Sequence, residues 1–361
     1  MTQRWAVHKF GGASVRDAAG VRNLAAILRH LADEGDAGLG QAVVVSAMGK
    51  TTNALEAVWK ALPHAVDVDP VIADVMSGHA SVVRELGLPS GVLEGDMVAF
   101  RVMCDSWKGR PLSDEGYDAL VGFGERWSTR IVAAQLAAEG LPAVWASAWS
   151  LVQTDDRHRA ARVDLQATGQ AIAQASEGWT GRIPVMQGFV GAAPDGRATT
   201  LGREGSDFSG ALLAEALSAQ HFCVWKDVPG VMTGDPRKWP AAQVLTELDH
   251  ETAELLGRAG AGVLHPDTMA PLRRTGIPLH VRSFMNSTAP GTCIRGDVPP
   301  AGLPALWTMA DMDEGQRTVR CIGAPEAEAR SAWEAQFPQS EVVVVGPDPD
   351  LPRCVRLVVR G

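Results

Sequence analysis

The sequence predicts an α/β fold: a mainly parallel central sheet covered by helices on both faces, followed by a small C-terminal α+β appendage. Three features point there. Short apolar runs at residues 42–45, 183–186 and 222–225 are partly β-branched or aromatic and stop at Gly, Ser or charged residues, as strands buried on both faces do. Between them, stretches 20–33, 127–139 and 208–219 repeat apolar residues every three or four positions, the period of amphipathic helices. Strands that alternate with helices along a chain build a parallel sheet.

Taken in order, a first strand ends at a Gly-Gly pair near residue 11, and the AVVV run at 42–45 makes the next strand. Residues 54–120 carry helical patterns broken by Pro63, Pro70, Pro89 and Pro111 without a comparable strand run, which reads as a helical lobe inserted in the sheet domain. The strands at 183–186 and 222–225 bracket the helix at 208–219. DVPPAGLP at 297–304 has three prolines and one glycine of turn chemistry, so a linker is expected there, dividing the chain into 1–296 and 305–361. The appendage shows strand-like runs at 317–322, 341–345 and 354–359 around a helical stretch at 325–336.

The chain has 361 residues, enough for two domains at roughly 150 residues each. Its 46% hydrophobic and 21% charged residues are globular values, which argues against a disordered, collagen-like or coiled-coil chain. Lys and Arg total 33 against 42 Asp and Glu, a net charge of -9, so no nucleic-acid or anionic-membrane partner is expected. No window reaches the roughly 18 uninterrupted apolar residues of a membrane span, and a cytoplasmic location is expected. Cys104, Cys223, Cys293, Cys321 and Cys354 are scattered, odd in number and never form CxxC, so they read as reduced thiols and suggest neither a disulfide framework nor a zinc site. No metal-ligating residues are assigned.

Four motifs carry chemistry. In His8-Lys9-Phe10-Gly11-Gly12-Ala13-Ser14-Val15, paired glycines let a backbone approach an anion and Lys9 adds positive charge; taken alone, this is also ordinary turn geometry. Ser46-Ala47-Met48-Gly49-Lys50-Thr51-Thr52-Asn53 places hydroxyls and an amide at a strand's C-terminal end, where parallel sheets meet ligands; helix capping by Thr52 or Asn53 explains it equally. The run from Thr199 to Gly210 offers Arg203 to fork onto a carboxylate and Asp207 to accept from an ammonium, unless Asp207 only serves the dipole of the helix starting near Ser206. In Trp225-Lys226-Asp227-Val228-Pro229-Gly230-Val231-Met232-Thr233-Gly234-Asp235-Pro236-Arg237, cations on turns suit nucleotide phosphates, or simply solvate a loop. Glu125, opening a helix, favours the helix N-terminus or holds a substrate ammonium, and His265 before a proline reads as structural.

In this order KFGGASV, VVVSAMGKTTN, GFGERWS, QGFVG, TTLGREGSDFSG, DVPGVMTGDPR and GVLHP resemble the corresponding stretches of aspartate kinases, members of the amino acid kinase family. The likeness covers about residues 5–296. It implies the amino acid kinase fold, ATP and Mg2+ as cofactors, and phosphorylation of the side-chain carboxylate of L-aspartate to 4-phospho-L-aspartate. It also implies roles: Lys9 and Asp207 are catalytic, and Ser46, Thr52, Glu125, Arg203 and Asp207 hold the amino acid. Lys9, Gly11, Gly12, Lys226, Asp227, Met232 and Arg237 surround the nucleotide. Family members commonly form homodimers and end in two ACT regulatory units, of which the residues after the linker leave room for one or a truncated form.

The chain departs from the family pattern at four places. A threonine is replaced by Lys226, a tyrosine by Met232, the lysine before VLHP by Gly262, and the glycine after Arg203 by Glu204. Lys226 stands to supply the cation lost at Gly262, and Glu204 stands to compete for Arg203. These changes keep open a diverged paralogue acting on another amino acid or carboxylate, or a non-catalytic regulatory subunit of the same fold.

Overall fold

A computed structural model describes residues 3–64, 68–202, 204–239, 242–262, 264, 266–296, 305–311 and 316–360. They form two compact units, Met1–Asp227 and Val228–Gly361. The expected linker at 297–304 lies outside the described residues.

The first unit opens with β1 (Trp5–Phe10), α1 (Ala18–His30) and β2 (Gly40–Val45). Asp17 caps α1 by accepting from the Gly20 N–H (2.8 Å). The helix then slackens into a π-helical turn, Leu31–Gly35, closed by a bond from Asp36 N–H to the Leu31 carbonyl (2.6 Å), so the regular helix ends before the expected residue 33. Four helices follow: α2 (Thr51–Ala61), α3 (Asp69–Glu85), α4 (Glu94–Trp107) and α5 (Asp114–Val121). Pro70 does not break α3, because it sits in the first turn, where no N–H is needed. The unit continues through α6 (Phe123–Ala138), β3 (Ala143–Ala146), α7 (Ala148–Leu151), α8 (Leu165–Ser176) and β4 (Ile183–Gln187), then a short hairpin of β5 (Val190–Ala192) and β6 (Ala198–Thr200). It closes with α9 (Gly205–Ala216) and β7 (His221–Lys226).

The five long strands stand in the order β3-β4-β2-β1-β7, all parallel. β1 and β2 are buried at every position, which is why their sequences do not alternate. β3 escaped the sequence reading because three of its four residues are only half-buried, leaving a short run of mixed character. Side chains alternate across the sheet, and the β1–β7 register pairs Ala6 with His221, His8 with Cys223 and Phe10 with Trp225. One face therefore carries His8, Phe10, His221, Cys223 and Trp225, with Phe10 and Trp225 stacked at 5.8 Å. The other carries Lys9, Phe222 and Lys226 beneath α9. Gly210 makes that packing possible: a Cβ there would lie 2.4 Å from the Phe222 ring and 3.5 Å from Lys9 Cβ.

In the second unit β8 (Glu247–Leu248), α10 (His250–Arg258), α11 (Pro266–Thr275), β9 (Leu279–Ser283) and β10 (Thr292–Ile294) precede the C-terminal elements. β10 pairs antiparallel with β9 and parallel with β8. The α+β appendage is an antiparallel sheet of β11 (Leu306–Asp311), β12 (Gln316–Ile322), β13 (Glu341–Pro347) and β14 (Cys354–Arg360) in the order β11-β12-β14-β13, with α12 (Glu326–Gln336) packed on it. Its strand β11 was not read from the sequence. Trp239, Trp307, Trp333 and Phe337 form its core, with Trp239 and Trp307 stacked at 4.7 Å. Cys104, Cys223, Cys321 and Cys354 are buried and Cys293 is half-buried, each outside any disulfide.

Candidate active site

The C-terminal ends of β1 and β2 turn into loops that zip together. Gly49 N–H donates to the Gly12 carbonyl (2.9 Å), and the Ser14 hydroxyl donates back to the Gly11 carbonyl (2.6 Å). A Cβ on Gly12 would lie 2.5 Å from the Ala47 carbonyl oxygen, so only glycine allows this approach. Beside the loops lies a cavity of about 550 Å³, lined by Gly12, Ser46, Thr52, Asn53, Glu125 and the start of α9, among others. It lies where open α/β sheets present their ligand crevice. No side chain caps α2, so the Thr52 hydroxyl and Asn53 amide, in its first turn, are spared for the cavity.

Glu125 is the cavity's buried acid, 3% exposed in the first turn of α6. Its Oε1 accepts from Ala47 N–H (3.1 Å). Burial pushes its carboxyl up to about 8, against the opposing pull of the Ala47 N–H and the Lys9 charge. The helix is pinned by Thr129, whose hydroxyl oxygen accepts from Gln187 Nε2 (2.7 Å) and Trp145 Nε1 (3.0 Å), tying α6 to β4 and β3.

Just below the cavity floor sits a charge cluster. Asp207, 2% exposed in the first turn of α9, meets Lys9 Nζ at 2.5 Å through one oxygen and Lys226 Nζ at 3.2 Å through the other. Burial would raise the Asp207 pKa, but the two ammonium charges override it and hold the carboxyl below the usual range. A Cβ on Gly11 would lie 3.6 Å from Lys9 Nζ, so the loop backbone covers this cation closely.

The first unit thus brings together Lys9, Gly11, Gly12, Ser46, Thr52, Glu125, Asp207 and Lys226. Asp207 is engaged by lysines and does not line the cavity, whose carboxyl groups are Glu56, Glu125 and Glu204, with Glu125 the buried one. Arg203 and His265 lie outside the described residues, and Asp227 is an exposed bend after β7. In the second unit Met232 forms a β-bridge with Val244, Arg237 closes onto Asp235 (3.0 Å), and Gly262 takes a left-handed φ of 68°.

Sequence reasoning missed the part of the lining built by Asp118, which is fully buried. Its carboxylate accepts from the Thr200 hydroxyl (2.6 Å) and from the backbone N–H groups of Thr200 and Arg159. Thr200, Tyr117 and Arg159 all line the cavity, and the Arg159 guanidinium lies 4.0 Å over the Tyr117 ring. These residues are distant in sequence and share no motif. A backbone signal marks the place: of the five described non-glycine residues with positive φ, Arg159 (68°), Phe189 (70°) and Glu204 (55°) all line this cavity. Such strain gathers at functional sites.

Glu204 heads α9 in that left-handed conformation, and among the described residues its buried Oε2 has no hydrogen-bond partner. Glu204→Gly should therefore stabilise the protein by about 1 kcal/mol. A lower thermal midpoint in that variant would show that the glutamate earns its strain through a contact.

The model of the amino acid kinase family matches residues 4–283. The chain is 36% identical over 302 residues to aspartokinase 2, chloroplastic, of Arabidopsis thaliana, covering 80% of this chain and 54% of that protein. It is 33% identical over 304 residues to lysine-sensitive aspartokinase 3 of Escherichia coli K12, covering 81% of this chain and 65% of that protein. The chain thus spans about half the length of the Arabidopsis relative. A crystal structure of E. coli aspartokinase III in complex with aspartate and ADP superimposes with a TM-score of 0.77 at 27% identity, covering 99% of this chain and 79% of that one. Among the described residues no helix is long and apolar enough to cross a membrane.

Proposed function

The chain belongs to the amino acid kinase family, and from that premise we propose that it transfers the terminal phosphoryl group of ATP to the side-chain carboxylate of L-aspartate, giving 4-phospho-L-aspartate and ADP. One observation carries the reading most directly. A cavity sized for a small polar ligand has a buried carboxylate, Glu125, on its wall and a pair of lysines, Lys9 and Lys226, gathered on Asp207 beside it.

The chemistry asks little of the protein beyond placement. A carboxylate with a pKa of about 4 is already an ionised nucleophile at neutral pH, so no general base is needed. Its oxygen forms the new bond to phosphorus while the bond to the ADP oxygen breaks. In this reading Glu125 takes the α-ammonium, and the Ser46 and Thr52 hydroxyls orient the amino acid. Arg203, next to Glu204, receives the α-carboxylate in a bidentate fork. Lys9 leans from Asp207 toward the transferring oxygens, whose charge it neutralises, and the Gly11-Gly12 backbone gives them a close N–H surface. Lys226 offers the second cation to the nucleotide, with Asp227, Met232 and Arg237 assigned to the same nucleotide. Mg2+ takes hard oxygen donors and arrives largely clothed in phosphate and water. Both oxygens of the buried Asp207 are engaged by Lys9 and Lys226, so the ion would be held by phosphate and water, and it would share in neutralising the phosphoryl charge. Cytoplasmic residence, expected from the sequence, and a homodimer, implied by the family resemblance, belong to the same proposal.

A coupled ADP-release assay across a panel of amino acids, with hydroxylamine trapping of the acyl phosphate, tests the reaction. Turnover with aspartate and a trapped hydroxamate are expected; turnover only with another acid would redirect the substrate assignment. Lys226→Ala should raise the KM for ATP by about tenfold, the loss of one charge-assisted contact. An unchanged KM would remove Lys226 from the nucleotide site.

A further inference from the structure

On the sheet face away from this cavity, three residues from three separate segments converge: His8 on β1, His221 on β7 and Asp36 just after the π-helical turn. His8 Nε2 lies 3.0 Å from Asp36 Oδ2, and His221 Nε2 lies 3.2 Å from Asp36 Oδ1. One donor atom from each residue falls within 4.8 Å of the other two. His8 and Asp36 are almost fully buried, 1% and 3% exposed, while His221 is 21% exposed and keeps a path to solvent.

We propose that His8, Asp36 and His221 bind a zinc-type divalent cation, independent of the nucleotide and its Mg2+. Two imidazole nitrogens and one carboxylate oxygen form a donor set suited to Zn2+ and ill-suited to Mg2+ or Ca2+, which take oxygen. Tetrahedral zinc with ligands at about 2.0–2.1 Å sets neighbouring donor atoms about 3.3 Å apart, close to the two separations seen here. On binding, each ring offers the Nε2 lone pair and carries its proton on Nδ1, the carboxylate stays ionised, and water takes the fourth position on the His221 side.

The backbone supports this reading. The β1–β7 register puts His8 and His221 on the same face, because Ala6 and His8 share that face and His221 is paired with Ala6. Asp36 reaches them only because the end of α1 widens into a π turn, a distortion that recurs at functional sites. The consecutive residue Lys9 points to the opposite face, so the cation would act as a clip between β1, β7 and the connection into β2, outside the phosphoryl-transfer chemistry.

The test uses the whole chain, free of any histidine tag, stripped with chelator and dialysed against Zn2+. Metal per chain is measured by elemental mass spectrometry and affinity by calorimetry. One equivalent is expected in the wild type, with affinity about 100-fold weaker or worse in His221→Gln and Asp36→Asn and unchanged in His30→Gln, a half-buried neighbour on α1. The Co2+-loaded wild type should show the visible absorption of a four-coordinate site, lost in His221→Gln. A wild-type chain that takes up no stoichiometric Zn2+, or binding that survives both substitutions, overturns the proposal. Should either variant fail to fold, crystals of the wild type soaked in Zn2+ decide alone: an anomalous peak bonded to the three residues supports the site, and its absence refutes it.

Discussion

Replacing Lys9 by Met should lower kcat by about 10³-fold at saturating ATP and aspartate, because the proposed reaction sets this cation closest to the transferring phosphoryl group, in a site where little water can substitute for it. The variant also disturbs the resting protein. Asp207 would keep Lys226 at 3.2 Å but lose its partner at 2.5 Å. Stripping one member from a buried ionic cluster costs a few kcal/mol, since the remaining charge stays desolvated. The two effects separate in the double variant Lys9→Met/Asp207→Asn, which should regain most of the thermal stability and none of the rate. A single variant that turns over within tenfold of the wild type would remove Lys9 from the chemistry.

Glu125→Gln should raise the KM for aspartate by about 100-fold, the loss of a charge-assisted contact to the ammonium in a buried site, and yet make the empty protein more stable at pH 8. The stability sign follows from the proton. In the unfolded chain this carboxyl releases its proton near 4.5, whereas in the folded chain burial delays release to about 8. Between those values the folded state binds more protons, so stability falls by up to a few kcal/mol as pH rises through the window. Glutamine carries no such titration. For the wild type, kcat/KM for aspartate should climb toward pH 8 as the empty site's Glu125 ionises, and that limb should vanish in Glu125→Gln. A pH profile identical in the two proteins would mean that the ammonium is held elsewhere.

The parts legible in the sequence are those whose physics is local. Buried parallel strands announce themselves by unbroken apolar runs, so β2, β4 and β7 were readable. The helix at 127–139 was readable from its period but begins at Phe123, which brings Glu125 inside the first turn. The loops that line the cavity were visible because glycines and hydroxyls cluster where strands end. What stayed hidden is long-range. Asp118 organises Arg159 and Thr200 from 41 and 82 residues away, and nothing in the local pattern of a helix residue announces partners at that distance. The pairing of Lys226 with Asp207 is likewise a product of β7 lying under α9. The short edge strand β3 lacks the burial that gives a strand its signature.

His8 and Lys9 owe their separate chemistries to nothing more than odd and even positions on one extended segment. Deleting or inserting a single residue before them in β1 would invert that parity, turning an imidazole toward the Asp207 side and an ammonium toward the histidine–aspartate cluster. A substitution along this strand alters one face at a time, whereas a change of the strand's length by one dismantles both faces together.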